Sequence, residues 1–308
     1  MVPAGLRARG GFVVEVHNFS YGLLNPGLAY LVSCLGCFLG LQCTARARAL
    51  RGADRARWLL LAGVSIGTTG IWVMHFIAML GFSIPGQVIT YNVPATIGSM
   101  LIAVAVVSVG LLIVGFGGDG LGPLLLGGAI IGLGVASMHY MGMWAMRMPD
   151  TMGYDLLLLV ASVLIAVVAG TAALWAALRL GSVRHTLLAS LIMGVAVSGM
   201  HYTGMAAMRV HAPAAGGLGM AAMGAGATGI AFLLPLILGI TAVTFVMTAI
   251  ISLAPTEDEI REDAALTERL ARMSGEFDRR SAGPAGRPSA GLPAAAARPD
   301  GLGFISAP

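Results

Sequence analysis

The sequence predicts an all-α membrane protein with seven transmembrane helices, arranged as three duplicated helix pairs plus one extra helix. Three observations lead there. Hydrophobic residues make up 57% of the 308 residues and charged residues 10%, whereas a soluble domain carries about 25% charged residues. Seven apolar stretches reach spanning length, near 27–45, 58–80, 94–116, 122–146, 156–179, 186–209 and 228–253. One pattern, Met-His-aromatic-x-small-Met, occurs three times: MHFIAM at 74–79, MHYMGM at 138–143 and MHYTGM at 200–205.

A membrane crossing takes about 20 mostly apolar residues. In lipid only helices and closed barrels satisfy the backbone, and runs of this length are helices. The link after the first span carries Arg46, Arg48, Arg51, Arg55 and Arg57, and the link after the fifth carries Arg179 and Arg184. The link 81–93 carries no charge. Basic loops stay cytoplasmic, so the expected topology has the N-terminus outside and the C-terminus inside. Arg147 and Arg209, at the outer ends of the fourth and sixth spans, run against this bias. The N-terminus lacks a cleaved signal peptide's pattern, because Glu15, His17 and Asn18 interrupt its short apolar patch. The net charge of +4 sits mostly in the links, so the expected partner is the lipid bilayer and not nucleic acid. Trp58, Trp72, Trp144 and Trp175 fall toward span ends and read as interfacial anchors.

Internal repetition decides the architecture. His75, His139 and His201 are 64 and 62 residues apart, about two spans each time. Each motif therefore closes a helix pair, and the seventh span stands outside the repeat. The expected organisation is an extracytoplasmic segment at 1–19, a membrane domain of three repeats at 20–213, an outer loop and seventh span at 214–253, a short cytoplasmic helix at 254–280 and a disordered tail at 281–308. Thr256 and Glu259 suggest a capping box for that helix. The Pro, Gly and Ala content beyond it suggests disorder.

The motif carries the chemistry. His75 lies about 17 residues into its span, or roughly 25 Å at 1.5 Å per residue, and the other two histidines reach a similar depth. All three then share one level near the outer surface. Residues i and i+4 share a helix face, which stacks His75 with Met79, His139 with Met143 and His201 with Met205. The same stripe, one turn further, takes in Met146 and Met208. Met74, Met138 and Met200 turn about 100° away and either flank a site or pack. Ala78, Gly142 and Gly204 are small, which lets a neighbouring helix come close; Gly128 and Gly132 read the same way.

Imidazole is the commonest protein metal ligand, and thioether sulfur favours Cu(I) over harder ions. Paired His and Met residues without a carboxylate suit copper rather than Mg²⁺, Ca²⁺ or a hydrolytic zinc site. The competing reading is packing, since Met fills gaps in apolar cores. Cys34, Cys37 and Cys43 all lie in the first span and read as small packing residues, with a soft-metal role for Cys34 and Cys37 secondary. His17, His185 and His211 lie in segments outside the spans and read as solvated. No catalytic triad or phosphate loop is evident, so the chain does not read as an enzyme.

The Met-His-Tyr-Thr stretch at 200–203, with Met-His-Phe-Ile at 74–77 and Met-His-Tyr-Met at 138–141, resembles the MHYT domain, a bacterial integral-membrane sensor module. The resemblance covers roughly 20–213. It implies six spans in three pairs, motifs near the outer face, copper held by motif residues, and sensing of a diatomic gas such as oxygen, carbon monoxide or nitric oxide. Carried over, the ligands are His75, Met79, His139, Met143, His201 and Met205, with Met74, Met138 and Met200 as further candidates. Relatives often join the domain to cyclic-dinucleotide or kinase modules. Only about 55 residues follow the seventh span here, so the expectation is a sensor in the bacterial inner membrane without its own output enzyme. Its C-terminal segment would meet a cytoplasmic signalling partner. A haem-binding electron-transfer protein, a metal transporter and a purely structural bundle stay open as alternatives.

Overall fold

The computed structural model describes residues 16–85, 87–118, 120–180, 182–211, 227–253 and 257–281. Among the described residues, six helices are long and apolar enough to cross a membrane: α1 (Leu24–Ala49), α2 (Gly52–Met79), α3 (Val93–Gly117), α4 (Leu121–Trp144), α5 (Leu156–Arg179) and α6 (Val183–Ala207). They stand where the first six spans were expected, and the protein is a multi-pass helical membrane protein. A seventh apolar helix, α7 (Leu234–Leu253), follows; across its described residues it does not join the six by length and composition. A last helix, α8 (Glu257–Ser281), belongs to a separate unit beginning at Asp258. The side chains of residues 262–274 are exposed, and Arg272 meets Glu268 one turn away at 2.6 Å. Thr256, and all of the 281–308 tail but Ser281, lie outside the described residues.

Helices α3, α5 and α6 start where a side chain receives their free amides. Asn92 Oδ1 accepts from Ala95 N at 2.9 Å to open α3. Asp155 Oδ1 accepts from Leu157 N and Leu158 N at 3.0 and 3.2 Å to open α5. Each of the six helices packs against its sequence neighbours, and α6 returns to α1, so the six form a closed ring. Glycines set the spacing. A Cβ on Gly132 of α4 would strike the Val167 backbone of α5, and one on Gly128 would strike Thr171. Backbone cannot swing aside as a side-chain tip can, so Gly132→Val should lower stability by at least about 3 kcal/mol, the upper range for overpacking. Thermal unfolding in detergent would read this, with Gly122→Ala, which meets nothing within 4 Å, as the neutral control.

Span two departs from a regular α-helix. Residues Ile66–Val73 are π-helical, and the α form resumes at Met74. This stretch is rich in Gly and Thr, and α1 crosses it closely: a Cβ on Gly36 would overlap Gly70. Ser33 Oγ donates to the Gly70 carbonyl at 2.7 Å. Thr69 and Thr244 of α7 share a hydroxyl hydrogen bond of 2.5 Å. Trp72, expected at an interface, is instead fully buried; its indole N–H donates to Thr96 O at 3.2 Å and Ser99 Oγ at 3.0 Å. An indole sinks inward where its N–H finds an acceptor.

Short strands at the motif end were not expected. Hydropathy carries spans four and six to 146 and 209, but the helices stop at Trp144 and Ala207. The strands are β1 (Thr90–Tyr91), β2 (Met146–Arg147), β3 (Thr151–Tyr154), β4 (Met208–His211) and β5 (Ala227–Thr228). Strand β1 lies between β2 and β5, and β3 pairs with β4, all antiparallel. His17 bridges Ser83 in the same sense. In each repeat the chain just before the first helix thus pairs with the chain just after the second. Met146 and Met208 are therefore buried strand residues, not a further helical turn of the motif stripe.

Candidate metal centre

The closed ring brings the three motif helices, α2, α4 and α6, to one level at the strand-covered end. His75, His139 and His201 are buried there, each 1% exposed or less. Their ring centroids lie 4.9, 4.9 and 5.1 Å apart with the planes nearly perpendicular, at 78°, 80° and 90°. This is a three-bladed propeller, one blade from each repeat. His75 Nδ1 stands 3.0 Å from His201 Nδ1 and 3.2 Å from His139 Nδ1. The three form the one cluster of His, Cys, Asp or Glu ligand atoms with metal-binding proximity among the described residues, all within 4.8 Å of one another.

Small residues make the propeller fit. A Cβ on Gly142 would overlap His75 Nε2, and one on Gly204 would overlap the His139 ring. The small motif position was expected to admit a neighbouring helix. It admits the neighbouring repeat's imidazole. The second and third motifs therefore each supply both a blade and the seat for the preceding repeat's blade. The sequence carried the signal, three small residues three positions after each histidine, but not the recipient. Phe76 packs edge-on against His75, with centroids 4.7 Å apart, and also against Trp72 and Tyr91. Tyr91 lies in the strand layer, where burial pushes its phenol above the ordinary range and keeps it neutral.

The hydrogen-bond inventory of the cluster does not close on protein atoms alone. Neutral imidazole has one N–H and one lone pair. His75 Nε2 and His139 Nε2 are buried without a partner. With the protons on Nε2, the Nδ1 lone pair of His75 faces those of His139 and His201 at contact distance. With a proton on one Nδ1, a buried Nε2 lone pair goes unmet. A cation among the Nδ1 atoms resolves the first arrangement. A tetrahedral ion with metal–nitrogen bonds of about 2.0–2.1 Å separates its nitrogens by about 3.3–3.4 Å, close to the 3.0 and 3.2 Å present. The residues fit a metal.

The six motif methionines are all buried at 4% exposure or less. Met79, Met143 and Met205 follow their histidines by four residues, about 6 Å along the helix at 1.5 Å per residue, on the strand side. Met74 packs with Ala29 and Ala78, while Met138 and Met200 join the main core. Cys34, Cys37 and Cys43 are buried free thiols outside the histidine cluster. His17 and His185 are exposed as expected; His211 is half-buried in β4 rather than in an open loop.

A ring of membrane helices around a buried, intramembrane histidine triad defines a class: multi-pass membrane proteins with a candidate metal centre built from repeats. The MHYT family, described as a bacterial signalling protein N-terminal repeat, matches residues 69–127 and 132–190. The chain belongs to this family. The third motif, with the literal Met-His-Tyr-Thr, lies beyond the second match, yet its histidine completes the same propeller. The chain is 40% identical over 193 residues to the bifunctional diguanylate cyclase/cyclic di-GMP phosphodiesterase MucR of Pseudomonas aeruginosa, covering 61% of this chain and 28% of that protein. It is 38% identical over 221 residues to the cyclic di-GMP phosphodiesterase NbdA of the same organism, covering 68% and 28%. It is 29% identical over 207 residues to the signalling protein YkoW of Bacillus subtilis, covering 64% and 25%. The chain thus spans about a quarter of the length of these relatives, and the match is a membrane sensor domain, not a catalytic one. No solved structure matches it.

Proposed function

We propose that this chain senses a diatomic gas through copper(I) held by His75, His139 and His201 at their Nδ1 atoms, with Met79, Met143 and Met205 as the nearest thioethers. The observation that carries this reading is the buried cluster of facing Nδ1 atoms at 3.0 and 3.2 Å. Charge favours a monovalent ion. The three ligands are neutral, so the ion's charge is uncompensated in a low-dielectric core. The idealised burial cost is of order 20 kcal/mol for a unit charge and grows with the square of the charge, which weighs against Zn²⁺ or Cu(II). Neutral imidazole and thioether donors also suit Cu(I). Three protein ligands would leave a coordination position open for the gas.

The protein's part is to hold the nitrogens, exclude water and register a shift in them. The methionine layer and the strand layer cover the cluster on one side. His75 follows the π-helical stretch, whose Thr69 is bonded to Thr244 of α7. A displacement of His75 along α2 would therefore reach α7, and from there α8 and a cytoplasmic partner. Two of the named relatives, MucR and NbdA, are described as cyclic di-GMP enzymes, and we take the output here to be of that kind. Haem fits poorly, because axial ligands stand on opposite faces of a macrocycle and these rings leave no slot between them. The test is metal analysis and spectroscopy of purified protein after copper(I) loading. One copper per chain, no Soret band and a carbon monoxide-dependent infrared band are expected. A Soret band, or copper-free protein after loading, would overturn the reading.

A further inference from the structure

Just past the histidine cluster, on the side away from the strands, the ring of helices encloses an apolar cavity of about 50 Å³. Its lining includes Ile71, Val135 and Val197, each four residues before its motif histidine. One helical turn separates the two layers on each helix, so the cavity's upper wall abuts the propeller itself. Below, the walls come from all six spanning helices, including Ile131, Leu174 and Met193. The lining side chains are aliphatic or thioether apart from the Cys37 thiol. A polar space this size could take a water, which needs only about 10–15 Å³ but two or more polar partners. These walls offer almost none, and apolar cavities stay dry and bind apolar guests such as xenon.

We propose that this chamber is a binding site for one small apolar molecule of the diatomic-gas class, placed to hold the molecule one helical turn from the histidine propeller. Packing alone does not account for it. Native cores leave few voids larger than a water, and this one sits on the pseudo-threefold axis where three repeats place a branched aliphatic side chain under each histidine in α4 and α6 and at Ile71 in α2. On the opposite face of the propeller the methionine and strand layers close the direct path. Leu111 and Ala177 wall both the chamber and a second, smaller void beside Arg48 and Arg55. The chamber's far end thus leads toward the arginine-bearing end of the bundle. The delivery of gas to the cluster rests on the reading given above; the chamber's affinity for an apolar guest does not.

The experiment uses the full chain in lipid nanodiscs with xenon as the probe, followed by xenon-129 NMR. Wild type should show a saturable bound population above that of empty nanodiscs. Ala173→Leu, which fills the wall from α5 and changes no motif residue, should weaken xenon binding at least tenfold. Leu174→Ala, which enlarges the space, should strengthen it severalfold. In copper-loaded protein, Ala173→Leu should slow carbon monoxide association at least tenfold with copper content unchanged. If wild type and both variants give the same xenon signal as empty nanodiscs, the chamber proposal falls, whatever the copper content. If xenon binds and responds to both variants while copper does not bind, the chamber stands and the copper reading falls. Should Ala173→Leu fail to fold, Leu174→Ala decides: no gain in xenon affinity overturns the proposal.

Discussion

Replacing His75 with leucine should remove copper binding by at least 100-fold and, in the metal-free protein, lower the stability of the fold by about 1–3 kcal/mol. His75 is the hub of the cluster, since its Nδ1 alone is bonded to both of the others. Two ligands remain after its loss, but no third side chain of the described residues offers a nitrogen, thiolate or carboxylate there. The stability side of the prediction has a separate cause. Leucine has comparable bulk and removes the unpartnered His75 Nε2, but it leaves the Nδ1 atoms of His139 and His201 without their bond to His75. A buried polar atom without a partner costs about 1–3 kcal/mol, and one such atom is exchanged for two. The variant should lower the unfolding temperature of apo-protein while metal analysis shows the site lost. A purely structural histidine would give the same fall in stability with unchanged metal content.

Gly204→Ala should nearly match that loss of metal without touching a ligand. The added methyl group would overlap the His139 imidazole, which is fully buried and has nowhere to retreat. The ring must tilt, and its Nδ1 then leaves the vicinity of His75. Gly142→Ala should act in the same way on His75 Nε2. We expect copper affinity to fall about 10–100-fold, the range for disturbed supporting positions of a metal site. Helix propensity alone favours Ala over Gly by up to about 1 kcal/mol, so a falling metal affinity in a helix that is locally favoured isolates the steric effect. Metal titration followed by helical circular dichroism on the same samples checks both. Unchanged affinity in both variants would show that the glycines do not seat the rings.

Much of this was legible in the sequence. The six long spans and the pairing of helices follow from hydropathy and from the 64- and 62-residue spacings. The convergence of His75, His139 and His201 follows from the common depth of the motifs, because three equivalent helices of a closed repeat must present equivalent residues to its axis. What was not legible depended on contacts between repeats. Gly142 and Gly204 advertised room, but their occupants come from residues 67 and 65 positions away in the chain. Trp72 carries nothing that distinguishes it from Trp144, and only Thr96 and Ser99 on another helix draw it inward. Met146 and Met208 continue an apolar pattern, so the helix ends before them went unseen. The strands there are two to four residues long, and their pairing is set by ring closure. The π-helical stretch likewise follows from close passage against Gly36 in α1 rather than from local propensity.

The central claim is that one ion sits among three histidine nitrogens contributed by three repeats. X-ray absorption at the copper edge of the loaded full chain tests it most directly. The account expects imidazole scattering from three nitrogens in wild type, and its disappearance together with the bound copper in a variant with His75, His139 and His201 all changed to leucine. A first shell of sulfur alone, or copper retained at full stoichiometry by the triple variant, would contradict it.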